Sequence, residues 1–214
     1  MTVKREDLLL YAITDRSWLA GNNLADVVRL AAEGGITFLQ YREKTLSYDE
    51  KKKEALEIKK ICREFDIPFV VNDDVNLAKD IDADGVHVGQ ADMAVSKARE
   101  ILGKDKIIGA TAKTVEQALK AQAEGADYLG SGALFGSNTK KDAIPMTKDL
   151  FNAICESVDI PVVAIGGITL DNIDSIIDSN MSGVAIISGI FAADDIKNQT
   201  MRFRDILDKR IIKR

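Results

Sequence analysis

The sequence has no basic surplus. Its 29 Lys and Arg stand against 34 Asp and Glu, and the net charge of −5 excludes the broad cationic face of a nucleic-acid binder. A phosphate site stays open, because a few backbone N–H groups and one or two lysines suffice to build one. Cysteine is scarce: Cys62 and Cys155 lie in helix-like contexts at no metal-ligand spacing and read as buried thiols of a reducing compartment. Histidine is scarcer still, with His87 alone. The opening residues MTVKREDLLL contain no long apolar core and no small-residue cleavage site. No apolar run approaches the ~20 residues of a membrane span. A cytoplasmic protein is expected.

What is present is a repeated rhythm of short apolar runs and amphipathic stretches. Strands are expected at Leu8–Thr14, Ile36–Arg42, Pro68–Val71, Gly85–Gly89, Lys106–Ala110, Asp127–Leu129, Pro161–Ile165 and Val184–Ile187. Between them fall helices at Leu24–Glu33 with Asn23 as cap, Ser47–Phe65 with a Ser47/Glu50 capping box, and Val75–Lys79. More follow at Ala94–Leu102, Thr114–Glu124, Thr147–Ser157, Leu170–Ser179 and from Asp194 to about Lys209. Eight strand–helix units of roughly 25 residues fill the chain without a linker, and no Gly-x-Gly-x-x-Gly follows the first strand. The expected fold is α/β, a single-domain (β/α)8 TIM barrel spanning residues 1–214; an open doubly wound sheet is the rival.

In such a barrel, the loops after the strands build the site. Those ends are Thr14-Asp15, Gln40 to Lys44, Asn72-Asp73-Asp74, Gly89 to Asp92, Thr111, Ser131 to Lys141, Gly166-Gly167 and Ser188-Gly189, a strongly polar set. Period-two alternation puts Gln40, Arg42 and Lys44 on one face; Arg42 has two readings, a ligand contact or the partner of a rim carboxylate. The stretch Pro68 to Asp92 organises the rest. If its two apolar runs are neighbouring parallel strands, Asp73 and Asp92 emerge close enough to share a divalent cation. Hard oxygen ligands without His or Cys favour Mg²⁺ over zinc. Asp74 reads as a helix cap, and His87 as an interior histidine with satisfied partners rather than a general base. Gly166-Gly167 and Ser188-Gly189 lie where many barrels hold a phosphate on backbone N–H groups. The loop SGALFGSNTKK reads either as a lid carrying charge to a diphosphate or as a surface loop with solvated lysines.

The pieces YAITD, QYREK, FVVNDD, GVHVGQAD, TKK, IGGI and GVAIIS, in this order and spacing, resemble the thiamine-phosphate synthase family over most of the chain. The resemblance implies a (β/α)8 barrel and a transferase. Its reaction joins 4-amino-2-methyl-5-pyrimidinylmethyl diphosphate to 4-methyl-5-(2-phosphoethyl)thiazole and releases pyrophosphate by a dissociative, Mg²⁺-assisted substitution. By motif it implies Gln40, Arg42, Lys44, Asn72, Thr111 and Lys140 as contacts to the pyrimidine diphosphate, with Lys44 and Lys140 catalytic. Asp73 and Asp92 become Mg²⁺ ligands; Ser137, Asn138, Thr139, Gly167, Ile187 and Ser188 form the thiazole-phosphate site. The implied partners are two small phosphorylated molecules, with no nucleic acid, no membrane and a homo-oligomer allowed.

Two departures stand out. The family loop reads Gly-Pro-x-Phe-Pro-Thr before its lysine, whereas this chain has Gly132-Ala133-Leu134-Phe135-Gly136-Ser137, an exchange expected to loosen the free loop. Lys113 stands where His is common. Three competing readings remain: a thiazole tautomerase-like isomerase, a non-catalytic thiamine-phosphate-binding paralogue, and an unrelated phosphate-binding barrel. Asp73, Asp92, Lys44 and Lys140 argue against the first, and no strand offers an obvious Schiff-base lysine for an aldolase of the third kind.

Overall fold

The structure is a computed structural model and describes residues 3–136, 145–177 and 179–212, without the side chains of 211 and 212. Eight strands pair in sequence order, every pair parallel, and the last closes on the first. They are β1 (Leu10–Ile13), β2 (Phe38–Tyr41), β3 (Phe69–Asn72), β4 (Gly85–Val88), β5 (Ile107–Thr111), β6 (Tyr128–Gly132), β7 (Val162–Ile165) and β8 (Gly183–Ile186). The helices are α1 (Leu24–Glu33), α2 (Tyr48–Glu64), α3 (Val75–Asp80), α4 (Val95–Leu102), α5 (Val115–Ala123), α6 (Lys148–Ser157), α7 (Ser188–Phe191) and α8 (Ile196–Leu207). The closed (β/α)8 barrel expected from the sequence is therefore the observed architecture.

Local chemistry starts most helices. The side chains of Asn23, Ser47, Asp74, Thr114, Thr147 and Asp195 each accept a hydrogen bond from a first-turn N–H. That supplies a partner to a donor the helix cannot satisfy itself. At α2 the capping box is complete, since the Glu50 carboxylate also accepts from Ser47 N at 2.9 Å.

Strand alternation sorts the core into two. Residues facing outward pack under the helices in a large cluster containing Leu39, Val71, Val86, Ile108 and Leu129. Residues facing inward form a smaller one inside the barrel, with Tyr11, Ile13, Phe38, Val70, Ile107, Tyr128, Val163 and Ala185. Tyr11, Phe38 and Tyr128 meet edge to face there, with ring centroids 4.7, 5.8 and 5.5 Å apart.

Three expectations are corrected. Among the described residues of the helix expected at Leu170–Ser179, only a 3-10 turn forms, at Ile173–Ser175. Asn172 accepts from Thr169 N at 2.9 Å and donates to the Gly167 carbonyl at 2.8 Å, so the segment satisfies itself as a turn. β6 does not stop at Leu129 but runs on through Gly130, Ser131 and Gly132. Low intrinsic strand preference is overridden by close neighbours: a Cβ at Gly132 would lie 1.9 Å from the Ile165 carbonyl oxygen. Ser188-Gly189 is not a plain loop but the first turn of the short helix α7.

Candidate active site

The end of β3 turns sharply. Asp73 adopts φ +62°, a conformation Asp and Asn tolerate better than most side chains. Its N–H donates to the His87 carbonyl at 2.8 Å, tying the turn to β4, while Asp74 leaves to cap α3. On the neighbouring loop, Asp92 Oδ2 accepts from Gly89 N at 2.8 Å, and a Cβ at Gly89 would sit 2.7 Å from that oxygen. The outcome is side-chain contact between Asp73 and Asp92. Burial chiefly, then the hydrogen bond and charge of Asp92, raise the Asp73 carboxyl above its ordinary value; Lys44 and Asn72 oppose the shift. Lys44 Nζ lies 3.8 Å from Asp73 Oδ2.

The β2 end is braced from β1. Thr14 Oγ1 accepts from Arg42 N at 2.8 Å and donates to the Arg42 carbonyl at 3.2 Å. The Arg42 guanidinium bonds the Asp15 carboxylate, which also accepts from Ser17 N at 3.0 Å. Arg42 thus satisfies the second of its two readings, while still lining the pocket. Glu43 points the other way, accepting from Thr45 N at 2.6 Å, Thr45 Oγ1 at 2.7 Å and Arg16 Nε at 2.6 Å.

Beneath the rim is a pocket of about 180 Å³ at the carboxyl ends of the strands, lined by Gln40, Arg42, Lys44, Asn72, Asp73, His87, Asp92 and Thr111 among others. Its floor is a chain of hydrogen bonds. Gln40 Nε2 donates to Tyr11 Oη at 2.5 Å, and the hydroxyls of Tyr11 and Tyr128 are 2.8 Å apart. His87 Nδ1 lies 3.1 Å from Tyr128 Oη, and His87 Nε2 lies 3.1 Å from Thr111 Oγ1. Burial pushes both tyrosine hydroxyls well above the ordinary phenol value, so both are neutral. Reading the sequence missed the two tyrosines, which sit in apolar runs and look like core. The signal was parity, since Tyr11 shares it with Ile13, and Tyr128 with Gly130.

The structure thus brings together Gln40, Arg42, Lys44, Asn72, Asp73, Asp92, Thr111 and Ile187 around one pocket. Gly167 and Ser188 follow β7 and β8. Gly166 and Gly167 have φ +102° and +64°, and the loop after β6 crosses them closely: a Cβ at Gly167 would be 2.7 Å from the Phe135 carbonyl oxygen. Only glycine permits that approach. Ser137, Asn138, Thr139, Lys140 and Lys141 lie outside the described residues, as does the lid built on them.

A closed (β/α)8 barrel with its polar pocket on the carboxyl-end face is a barrel enzyme. Comparison with known proteins narrows the class. Residues 10–190 match the family model described as thiamine monophosphate synthase. The chain is 44% identical over 207 residues to the thiamine-phosphate synthase of Clostridium acetobutylicum, covering 97% of this chain and 98% of that one. It is 43% identical over 205 residues to that of Caldanaerobacter subterraneus, covering 95% and 96%. The thiamine phosphate pyrophosphorylase structure from Pyrococcus furiosus superposes with a TM-score of 0.90 at 39% identity, covering 97% of this chain and 98% of that one. The chain belongs to the thiamine monophosphate synthase family.

Proposed function

We propose that the chain is a thiamine-phosphate synthase, a transferase that joins the aminopyrimidine diphosphate to the thiazole phosphate and releases pyrophosphate. The observation that carries this reading is the contact of Asp73 with Asp92 at the rim, with Lys44 beside them above the pocket.

Two carboxylates in contact repel unless a proton or a cation lies between them. Their hard oxygens suit Mg²⁺. Among the described residues no three His, Cys, Asp or Glu side chains cluster. A cation here would therefore take two carboxylates and fill its shell with water and diphosphate oxygens, the usual habit of Mg²⁺. Bound there, Mg²⁺ would supply neutralising charge for the departing pyrophosphate.

The remaining work belongs to the chain. Lys44, and Lys140 by family resemblance, stabilise negative charge on the leaving group. Gln40, Asn72 and Thr111 orient the pyrimidine, and Arg42, fixed by Asp15, lines its diphosphate end. The thiazole phosphate falls to Ser137, Asn138, Thr139, Gly167, Ile187 and Ser188. The methylene C–O bond breaks with its electron pair leaving on pyrophosphate, and the electron-rich aminopyrimidine carries the cationic character. The thiazole nitrogen then gives its lone pair to form the C–N bond. Catalysis is positioning and electrostatics. No protein nucleophile is required: Cys62 and Cys155 are buried, do not line the pocket, and have thiols pushed up by burial. No helix among the described residues is long and apolar enough to cross a membrane, and the reaction is placed in the cytoplasm as part of the same proposal.

The test mixes both substrates with and without Mg²⁺ and measures pyrophosphate and thiamine phosphate. Stoichiometric, Mg²⁺-dependent release of both is expected. Binding of thiamine phosphate without turnover would instead identify a non-catalytic paralogue.

A further inference from the structure

We propose that Glu43 and Arg16 are positioning residues, which hold the loop after β2 so that Lys44 stands where a diphosphate binds. The diphosphate rests on the function proposed above; the brace rests on contacts within the fold.

β2 ends at Tyr41, so the backbone beyond it has no strand to follow. Glu43 supplies partners there. Its Oε1 accepts from Thr45 N at 2.6 Å, Thr45 Oγ1 at 2.7 Å and Leu46 N at 3.3 Å. The side chain therefore closes a turn around Lys44, the residue between it and Thr45. Its other oxygen, Oε2, accepts from Arg16 Nε at 2.6 Å. Arg16 in turn reaches Glu54 on α2, with Nη2 2.6 and 2.8 Å from the two carboxylate oxygens. Tyr41 Oη donates to the same carboxylate at 2.8 Å. The turn after β1 and helix α2 thus hold the β2 loop from outside the pocket, while Thr14 and Asp15 hold Arg42 beside it.

Each of these partners of the Glu43 carboxylate is a donor, and the side chain is only 2% exposed. A carboxylate accepts on both oxygens, whereas an amide of the same shape turns N–H groups toward a donor on one side. Charge-assisted bonds of this kind are short and strong. Lys44 is held differently. Its side chain is 55% exposed, and Nζ lies 3.8 Å from Asp73 Oδ2, too far for a hydrogen bond. A long side chain held so loosely is placed by its backbone, and Glu43 places that backbone. Gln40, Arg42 and Lys44 line the pocket and Glu43 does not, so its effect passes through its neighbour.

Glu43→Gln keeps the shape and breaks the donor–acceptor match. It should lower kcat/KM for the pyrimidine diphosphate by roughly ten- to hundredfold, the cost of displacing a contacting group by about 1 Å. KM for the thiazole phosphate should stay as it is; a parallel rise there would mark a general structural loss and overturn the proposal. In a Lys44→Ala background the same substitution should cost less than about twofold, because the residue it positions is gone. An equal loss in both backgrounds, or no loss in the first, also overturns it. Arg16→Ala, at a more exposed position, is the second variant if Glu43→Gln folds poorly. It should lower the same quantity roughly fivefold, again only where Lys44 is present, and an undiminished rate sinks the brace. Wild-type protein that releases no pyrophosphate would refute the proposed function instead. The brace is then judged by amide exchange at Thr45 and Leu46, which Glu43→Gln should speed at least roughly tenfold. Unchanged exchange overturns it.

Discussion

Gly109→Ala is the smallest change that tests the barrel interior. Gly109 faces inward on β5, in register with Tyr128 on β6. A methyl there would lie 2.2 Å from Tyr128 Cζ and 2.4 Å from its hydroxyl oxygen. Ordinary carbon contacts begin near 3.5 Å, so the overlap is about 1.3 Å. The ring cannot swing aside cheaply. It is fully buried, stacked edge to face on Phe38 and Tyr11, and bonded at its tip to Tyr11 and His87. Overpacking of this kind costs about 1–3 kcal/mol. The two displaced hydrogen bonds are worth about 1 kcal/mol each. A loss of about 3 kcal/mol or more is expected in urea unfolding, a large fraction of a typical domain's stability. Gly103→Ala is the control: its φ is +82° but nothing lies within 4 Å of the added methyl. With ψ at 178° the backbone lies in a region essentially reserved for glycine, and strain alone should cost about 1–3 kcal/mol there. If Gly109→Ala is as stable as wild type, the account of a tightly packed interior around Tyr128 is wrong.

Asp73→Asn and Asp92→Asn should each abolish Mg²⁺-dependent turnover without weakening metal-free unfolding, because each removes one member of a repelling pair. Asn also tolerates the positive φ at position 73. Full turnover in either variant removes the pair from the metal site. Asp74→Ala deletes the α3 cap and should cost about 1 kcal/mol in urea unfolding; an unchanged midpoint means the cap is idle. Glu43 gives a pH prediction. Burial works to raise its carboxyl, but Thr45 N–H and hydroxyl and the Arg16 guanidinium outweigh burial and hold it down to about 2, from 4.5. A depressed carboxyl contributes stability above pH 4.5 that is lost as pH falls toward about 2. Glu43→Gln should therefore flatten the stability–pH curve in that window, and an unchanged slope would refute the assignment.

The barrel was legible because its signals are local. Capping side chains at Asn23, Ser47, Asp74, Thr114 and Thr147 announce helix starts, and continuous apolar runs announce buried parallel strands. Failures came where tertiary contacts outvote local preference. Gly130, Ser131 and Gly132 make a poor strand by propensity, yet they pair because only glycine lets Ile165 approach so closely. Leu170–Ser179 has helical apolar spacing, but Asn172 spends its side chain on a turn. In the site, Gln40, Lys44, Asp73 and Asp92 were legible because a polar group ending an apolar run has few structural excuses. Tyr11 and Tyr128 were not, since a tyrosine in such a run reads as core until its hydroxyl partner is known. That partner comes from another strand.

The observed pocket divides its labour by depth. Lys44, Asp73 and Asp92 stand at the rim, where solvent and a counter-charge keep ionisation affordable. The floor from Gln40 to Thr111 carries no acid and no lysine, and hydrogen bonds link its side chains across the barrel. This division fits the reading of the lone histidine as an interior residue with satisfied partners. Both ring nitrogens of His87 are occupied by Tyr128 and Thr111. The proposed chemistry does not need them, because an aromatic ring nitrogen attacking a carbon loses no proton as it forms the new bond. In that proposal charge has to be managed at the departing pyrophosphate, the role it assigns to the two acids and the lysine of the rim. The interior is then left to shape and hydrogen bonding, and its single histidine links Tyr128 on β6 to Thr111 on β5.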